Sequence, residues 1–143
     1  MEKEEPCKSL LILDDCLGSP AILQSSGLTR IATLNRHIAP LQENFKDRSA
    51  CGLAVIILSQ TYRMSNGISR VLRENLSIIT LFKNKQQKQL DAIKEELANV
   101  VDLDKFDKAY EYATRGKYGN LSIDFKAKCE TMTFRRNLNE LII

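Results

Sequence analysis

Two adjacent carboxylates, Asp14 and Asp15, close a run of four large aliphatic residues, Leu10-Leu11-Ile12-Leu13. A continuous apolar run fits a strand buried on both faces, as in a parallel sheet flanked by helices. Acids at the carboxyl end of such a strand stand where open α/β sheets bind ligands. Phosphoryl transfer uses such a pair: one acid holds the magnesium shell, and its neighbour orients or deprotonates the attacking water. A second apolar run, Leu53-Ala54-Val55-Ile56-Ile57-Leu58, ends in Ser59-Gln60. An amide in that place can donate to a phosphate and accept from a water at once.

A strand ending in two acids has the form of a Walker B box, and such a box needs a phosphate-binding loop of the form G-x-x-x-x-G-K-[ST] upstream. The nine residues before Leu10, MEKEEPCKS, contain no glycine. The single Gly-Lys of the chain is Gly116-Lys117, followed by Tyr118 where the loop needs Ser or Thr. That dipeptide reads as a helix-ending turn. If the box is genuine, the expectation is the C-terminal part of an ATPase domain that starts after the phosphate-binding half.

The elements that must position these residues follow from periodicity. Strands are predicted over residues 10–13, 53–58, 77–82 and 121–125, with the second and third read as central parallel strands because they are β-branched and nearly continuous in apolar character. Helical spacing runs through Leu28, Ile31, Leu34 and Ile38, and through Ile68, Val71 and Leu72. Residues 40–48 are polar and read as a loop or short helix. Residues 83–99 form an amphipathic helix with Leu90, Ile93 and Leu97 on one side. Another helix follows Asp102, with Phe106, Ala109, Tyr110 and Ala113 inward and Gly116 ending it. Residues 126–143 carry no clear period. Helix–strand alternation with short links predicts one wound α/β domain over residues 1–143.

Composition sets the class. With 143 residues, 43% apolar and 27% charged, the chain is expected to form a single soluble globular domain. Cys7, Cys16, Cys51 and Cys129 are scattered, and the lone His37 cannot complete a zinc site, so free thiols in a reducing compartment are expected. No signal peptide and no membrane span is expected, which predicts an intracellular protein. Residues 1–62 hold six Lys/Arg against seven Asp/Glu, and residues 63–143 hold fifteen against eleven. The cluster Arg63, Arg70, Arg73, Lys83, Lys85 and Lys88, with Glu74 as its one acid, suits either nucleic-acid phosphates or plain solvent.

Taken in order, LLILDDC, residues 27–37 (GLTRIATLNRH), AVIILSQTYR, Arg73-Glu74-Asn75 and SIITLFK resemble the genome-packaging ATPases of large DNA viruses, virophages and polinton-like elements, within the FtsK/HerA superfamily. The later Tyr110–Thr114 and Leu121–Asp124 also look like that family's C-terminal end, so the resemblance spans about residues 8–126. It implies a P-loop NTPase-like three-layer sandwich with a mainly parallel sheet, truncated on its N-terminal side. It implies ATP and Mg2+ in the complete domain, double-stranded DNA as the translocated partner, a homo-oligomeric ring, and capsid or portal proteins as further partners. The implied location is host cytoplasm or virus factory, extending to virions, with no membrane.

Carried over residue by residue, the resemblance makes Asp14 the magnesium-shell acid, acting through water, and Asp15 the water-activating acid. Gln60 becomes the sensor, and Arg73 and Asn75 the Arg-x-Asn box that follows it. For the arginine finger, Arg36 matches the Arg-His motif, whereas Arg48 lies nearer the sensor strand; residues 38–52 read as an insertion. Without its phosphate loop the chain alone is expected to be inactive. Two other readings stay open: a non-catalytic α/β remnant that binds protein or DNA, and a response-regulator-like domain, which the Gln60 strand end fits poorly.

Overall fold

The computed structural model describes residues 8–14, 19, 22, 25–34, 52–63 and 68–142. The chain divides into two compact units, Met1–Asn75 and Leu76–Ile143. The architecture is mixed α/β, with a two-stranded parallel sheet and a four-stranded antiparallel sheet.

In the first unit, strands β1 (Lys8–Asp14) and β2 (Gly52–Leu58) pair in parallel, with Lys8 opposite Gly52 and Asp14 opposite Leu58. Helices α1 (Ser26–Leu34) and α2 (Arg70–Glu74) pack on each other. Leu28, Ile68 and Leu72 form a small buried core against which Leu13 and Ile57 pack. Both strands therefore turn one set of side chains to the helices. The alternate set is open: Leu10 is 56% exposed, Ile12 55%, and Ile56 and Leu58 are exposed as well. The expectation of strands covered on both faces is met on one face among the described residues. The start of α1 is set by Ser25, whose hydroxyl accepts the Leu28 N–H at 3.1 Å and leaves the helix to run on from there. The predicted polar loop at 40–48 lies outside the described residues.

In the second unit, β3 (Ile78–Phe82) leads through α3 (Gln87–Leu97) and α4 (Leu103–Ala113) to β4 (Asn120–Asp124). A 3-10 turn at Glu130–Met132 precedes β5 (Phe134–Arg136) and β6 (Glu140–Leu141). The sheet order is β3-β4-β5-β6, antiparallel throughout. This corrects the reading of residues 77–82 as a central parallel strand. Each helix reverses the chain's direction, so two helices between β3 and β4 return the chain from the opposite end, and the strands meet antiparallel. Burial corrects it too, because Ile79 is buried while Ile78, Thr80 and Phe82 are exposed: the strand is covered on one face only.

The core of this unit follows the helical spacing. Phe106, Ala109 and Ala113 share one face of α4, which packs on β4 and β5, where Leu121, Ile123 and Phe134 are buried. Leu90, Ile93 and Leu97 are the buried stripe of α3. Lys94 bridges the two helices, pairing with Asp107 and lying over the Phe106 ring at 6.0 Å. Asp102 caps α4, its carboxylate accepting the Asp104 and Lys105 N–H groups at 2.9 and 3.3 Å. Gly119 is required after this helix, because a Cβ there would come within 2.3 Å of the Ala113 carbonyl oxygen.

The tail without period forms the β5–β6 hairpin. Asn137 and Leu138 both take left-handed backbone, at φ 51° and 70°. Asn137 earns its place by accepting from the Asn120 backbone and side-chain N–H groups at 3.3 and 3.2 Å, while its own N–H donates to the Asn120 carbonyl at 3.1 Å. Tyr112 adds a second tie: its hydroxyl donates to Glu140 at 2.7 Å, and the Arg136 guanidinium lies 5.3 Å from its ring centre.

Candidate functional site

Parallel pairing in register puts the carboxyl ends of β1 and β2 side by side. Asp14 is the last residue of β1 and is exposed there. Opposite it, β2 ends at Leu58, and the chain bends at once: the Ser59 hydroxyl accepts the Thr61 N–H at 3.1 Å and donates to the Thr61 carbonyl. This serine-based turn is local chemistry that competes with further strand pairing. It leaves Gln60 exposed at the bend, beyond the strand end beside Asp14. One acid and one amide thus project from adjacent strand ends, the arrangement in which an open α/β sheet meets a ligand.

Arg73 and Asn75 are held by their own surroundings. The Arg73 guanidinium donates to the Ile68 carbonyl and lies 5.4 Å from the centre of the Tyr62 ring. The Asn75 amide donates to the Val71 carbonyl at 2.8 Å, closing the last turn of α2. Arg70 pairs with Glu74 one turn away, and the Ile68 N–H donates to the Tyr62 carbonyl at 3.2 Å. Together these bonds tie the segment after Gln60 to α2. Tyr62 is the residue that the sequence did not single out, because its contact with Arg73 leaves no mark in residue spacing.

Asp15, Arg36 and Arg48 lie outside the described residues. Among the described residues, no three His, Cys, Asp or Glu side chains converge in a way that could hold a metal ion by themselves. A magnesium ion asks for less, because it keeps several waters and takes one or two carboxylates besides the substrate's phosphates. Asp14 supplies one exposed carboxylate at the end of β1. Gly116-Lys117 lies in the turn between α4 and β4, as the sequence predicts.

No known protein family, curated protein or solved structure matches this chain. No helix among the described residues is long and apolar enough to cross a membrane.

Proposed function

We propose that this chain is the C-terminal portion of an ATP-driven motor that translocates double-stranded DNA into a viral capsid, built on the P-loop NTPase three-layer plan. The observation that supports this reading is the in-register parallel pairing of β1 and β2, with Asp14 at the end of one strand and Gln60 just past the end of the other. In this reading Asp14 holds the magnesium water shell, and Asp15, next in sequence, activates the attacking water. Gln60 senses the γ-phosphate. Arg73 and Asn75 brace the sensor segment through Tyr62 and α2. An arginine from the neighbouring subunit, Arg36 or Arg48, meets the charge that develops on the transferred phosphoryl group. Nucleotide phosphates are bound by a glycine-rich half that these residues do not contain, so ATP and magnesium belong to the completed domain.

The test uses the chain completed with such a half. Asp15→Asn lowers turnover by several orders of magnitude and leaves nucleotide affinity nearly unchanged, the signature of a group that acts only in the transition state. Asp14→Asn weakens magnesium-dependent nucleotide binding as well. The opposite pattern exchanges the two roles, and unchanged turnover in both variants removes the reading. Mixed rings assign the finger. Arg36→Ala subunits mixed with Asp15→Asn subunits recover activity if Arg36 acts in trans, on a background loss on the order of a thousandfold; recovery with Arg48→Ala instead assigns Arg48.

A second reading, a non-catalytic interaction module, draws its support from the second unit, whose antiparallel sheet and helices form a compact body with its own core.

A further inference from the structure

The four-stranded sheet has one face against α4, where Leu121, Ile123 and Phe134 are buried, and a second face whose residues are fixed by register. Cross-strand partners share a face, so Ile78, Thr80 and Phe82 of β3 stand with Asp124, Ser122 and Asn120 of β4, and Arg135 of β5 stands beside Ser122. The Thr80 and Ser122 hydroxyls are 3.0 Å apart on this face, where Ser122 is buried between Thr80 and Arg135, and Ile78, Thr80 and Phe82 of the edge strand are exposed. Phe82 is 60% exposed, which is costly for an aromatic ring unless something stacks on it. At the same end of the sheet, two residues before Asn120, Tyr118 is 75% exposed with the Lys117 ammonium 5.3 Å from its ring centre. The Asn120 amide joins the two features, since it pairs with Phe82 across the strands and donates to the Tyr118 carbonyl at 3.5 Å.

Charge divides between the helices and the rest of the unit. Within residues 76–143, α3 and α4 carry six acids against four Lys/Arg, whereas the strands and connections carry eight Lys/Arg against four acids. Of those four acids, Asp102 caps α4, Glu140 is bonded to Tyr112 and Arg136, and Asp124 accepts the Lys126 N–H at the end of β4 remote from Phe82. Lys83 directly follows Phe82 and Lys85 comes two residues later, both exposed, and Arg135 has no ion-pair partner among the described residues. The helices are acidic and the strands and connections basic, with Arg136 and Arg115 lying against α4 and Lys83, Lys117 and Arg135 left near the two exposed aromatic rings.

We propose that the Phe82 end of this sheet, with the adjoining Tyr118 turn, binds single-stranded nucleic acid, with Phe82 and Tyr118 stacking on successive bases and Lys83, Lys117 and Arg135 meeting the phosphates. Exposed aromatics on an antiparallel sheet, with cations around them, match unstacked bases strung on a charged backbone. A base-paired duplex hides its base faces and offers nothing to the rings. The proposal does not rest on the ATPase reading, because it uses no residue of the first unit.

The test measures binding of the full chain to a fluorescein-labelled oligothymidylate of about 12 nucleotides, with oligouridylate and a matched duplex as parallel probes. The chain has no tryptophan and four tyrosines, so quenching of tyrosine emission reports stacking on Tyr118 directly. Phe82→Ala and Tyr118→Leu each weaken the single-strand complex about tenfold, within the range for loss of one stacked base, and Tyr118→Leu abolishes the quenching. Lys117→Ala and Arg135→Ala each flatten the salt dependence of binding by about 0.7 in log–log slope. Both aromatic side chains are exposed, so circular dichroism stays that of the parent. The ratio of oligothymidylate to oligouridylate affinity assigns DNA or RNA as the preferred strand. Absence of single-strand binding at low salt overturns the proposal. So do equal affinity for the duplex without loss in the aromatic variants, and full displacement of the oligonucleotide by an equal concentration of polyglutamate, which points to an acidic protein instead. Asp15→Asn leaves this binding unchanged, so failure here and failure of the ATPase reading are separate results.

Discussion

Strands β1 and β3 start from similar material, LLIL in one and IITLF in the other, and the two units use it differently. Around β1 and β2, three hydrophobic side chains are buried among the described residues, Leu28, Ile68 and Leu72, and a row of leucine and isoleucine remains open. Around β3 and β4, ten are buried, from Ile79 to Phe134, with Phe106, Leu121 and Ile123 fully so. The pairing explains the contrast. A parallel pair is stable when both faces are covered, whereas an antiparallel sheet tolerates one open face. A two-stranded sheet is marginal alone, and four strands with two helices are not. Among the described residues the second unit therefore holds the larger buried core, and the first sets the ends of β1 and β2 above a small one.

The largest effect expected from this contrast is at Phe106. Phe106→Ala removes a fully buried ring and costs the second unit about 3–5 kcal/mol, read by urea unfolding. In the parent protein, hydrogen exchange reports the same difference without mutation: amides of Leu121–Ile123 exchange through global opening, and those of Leu11–Leu13 through openings of lower free energy. Equal protection in both strands breaks the comparison. Gly119→Ala is next, at about 1–3 kcal/mol, because its Cβ meets the Ala113 carbonyl. Gly116→Ala has room, with its nearest contact at 3.9 Å, and stays near neutral; matched losses at both glycines mean the close approach is relieved another way. The smallest effect is a gain. Leu138→Gly relieves left-handed backbone at an exposed residue and raises stability by about 1 kcal/mol, and a loss there shows that the leucine side chain contributes contacts of its own.

Much of this fold is legible in the chain. The apolar run at 53–58 is β2 nearly residue for residue, and Phe106, Ala109 and Ala113 announce the buried face of α4 by spacing alone. Asp102 declares its cap by type and place. What sequence does not carry is partnership. Residues 77–82 look fit for a central parallel strand, yet direction was decided by the two helices that follow. The tail from 126 had no readable period because β5 and β6 are three and two residues long and are held by the Asn120–Asn137 lock and the Tyr112–Glu140 bond, contacts made across the fold. At the candidate site the strand ends at Asp14 and Gln60 were visible as polar stops to apolar runs. The ring of Tyr62 under Arg73 was not, since cation–π contacts leave no mark in spacing.

The central claim is that β1 and β2 present their ends to a nucleotide held by a phosphate-binding half. The most direct measurement expresses the chain from its native locus, with the DNA upstream of Met1 included, and purifies it through a tag at its C-terminus for an ATP turnover assay. A G-x-x-x-x-G-K-[ST] segment, continuous with the chain or bound to it, is expected to copurify, and the preparation to hydrolyse ATP in a manner lost by several orders of magnitude in Asp15→Asn. Recovery of the 143-residue chain with no such segment and no turnover, or turnover that Asp15→Asn leaves intact, contradicts it.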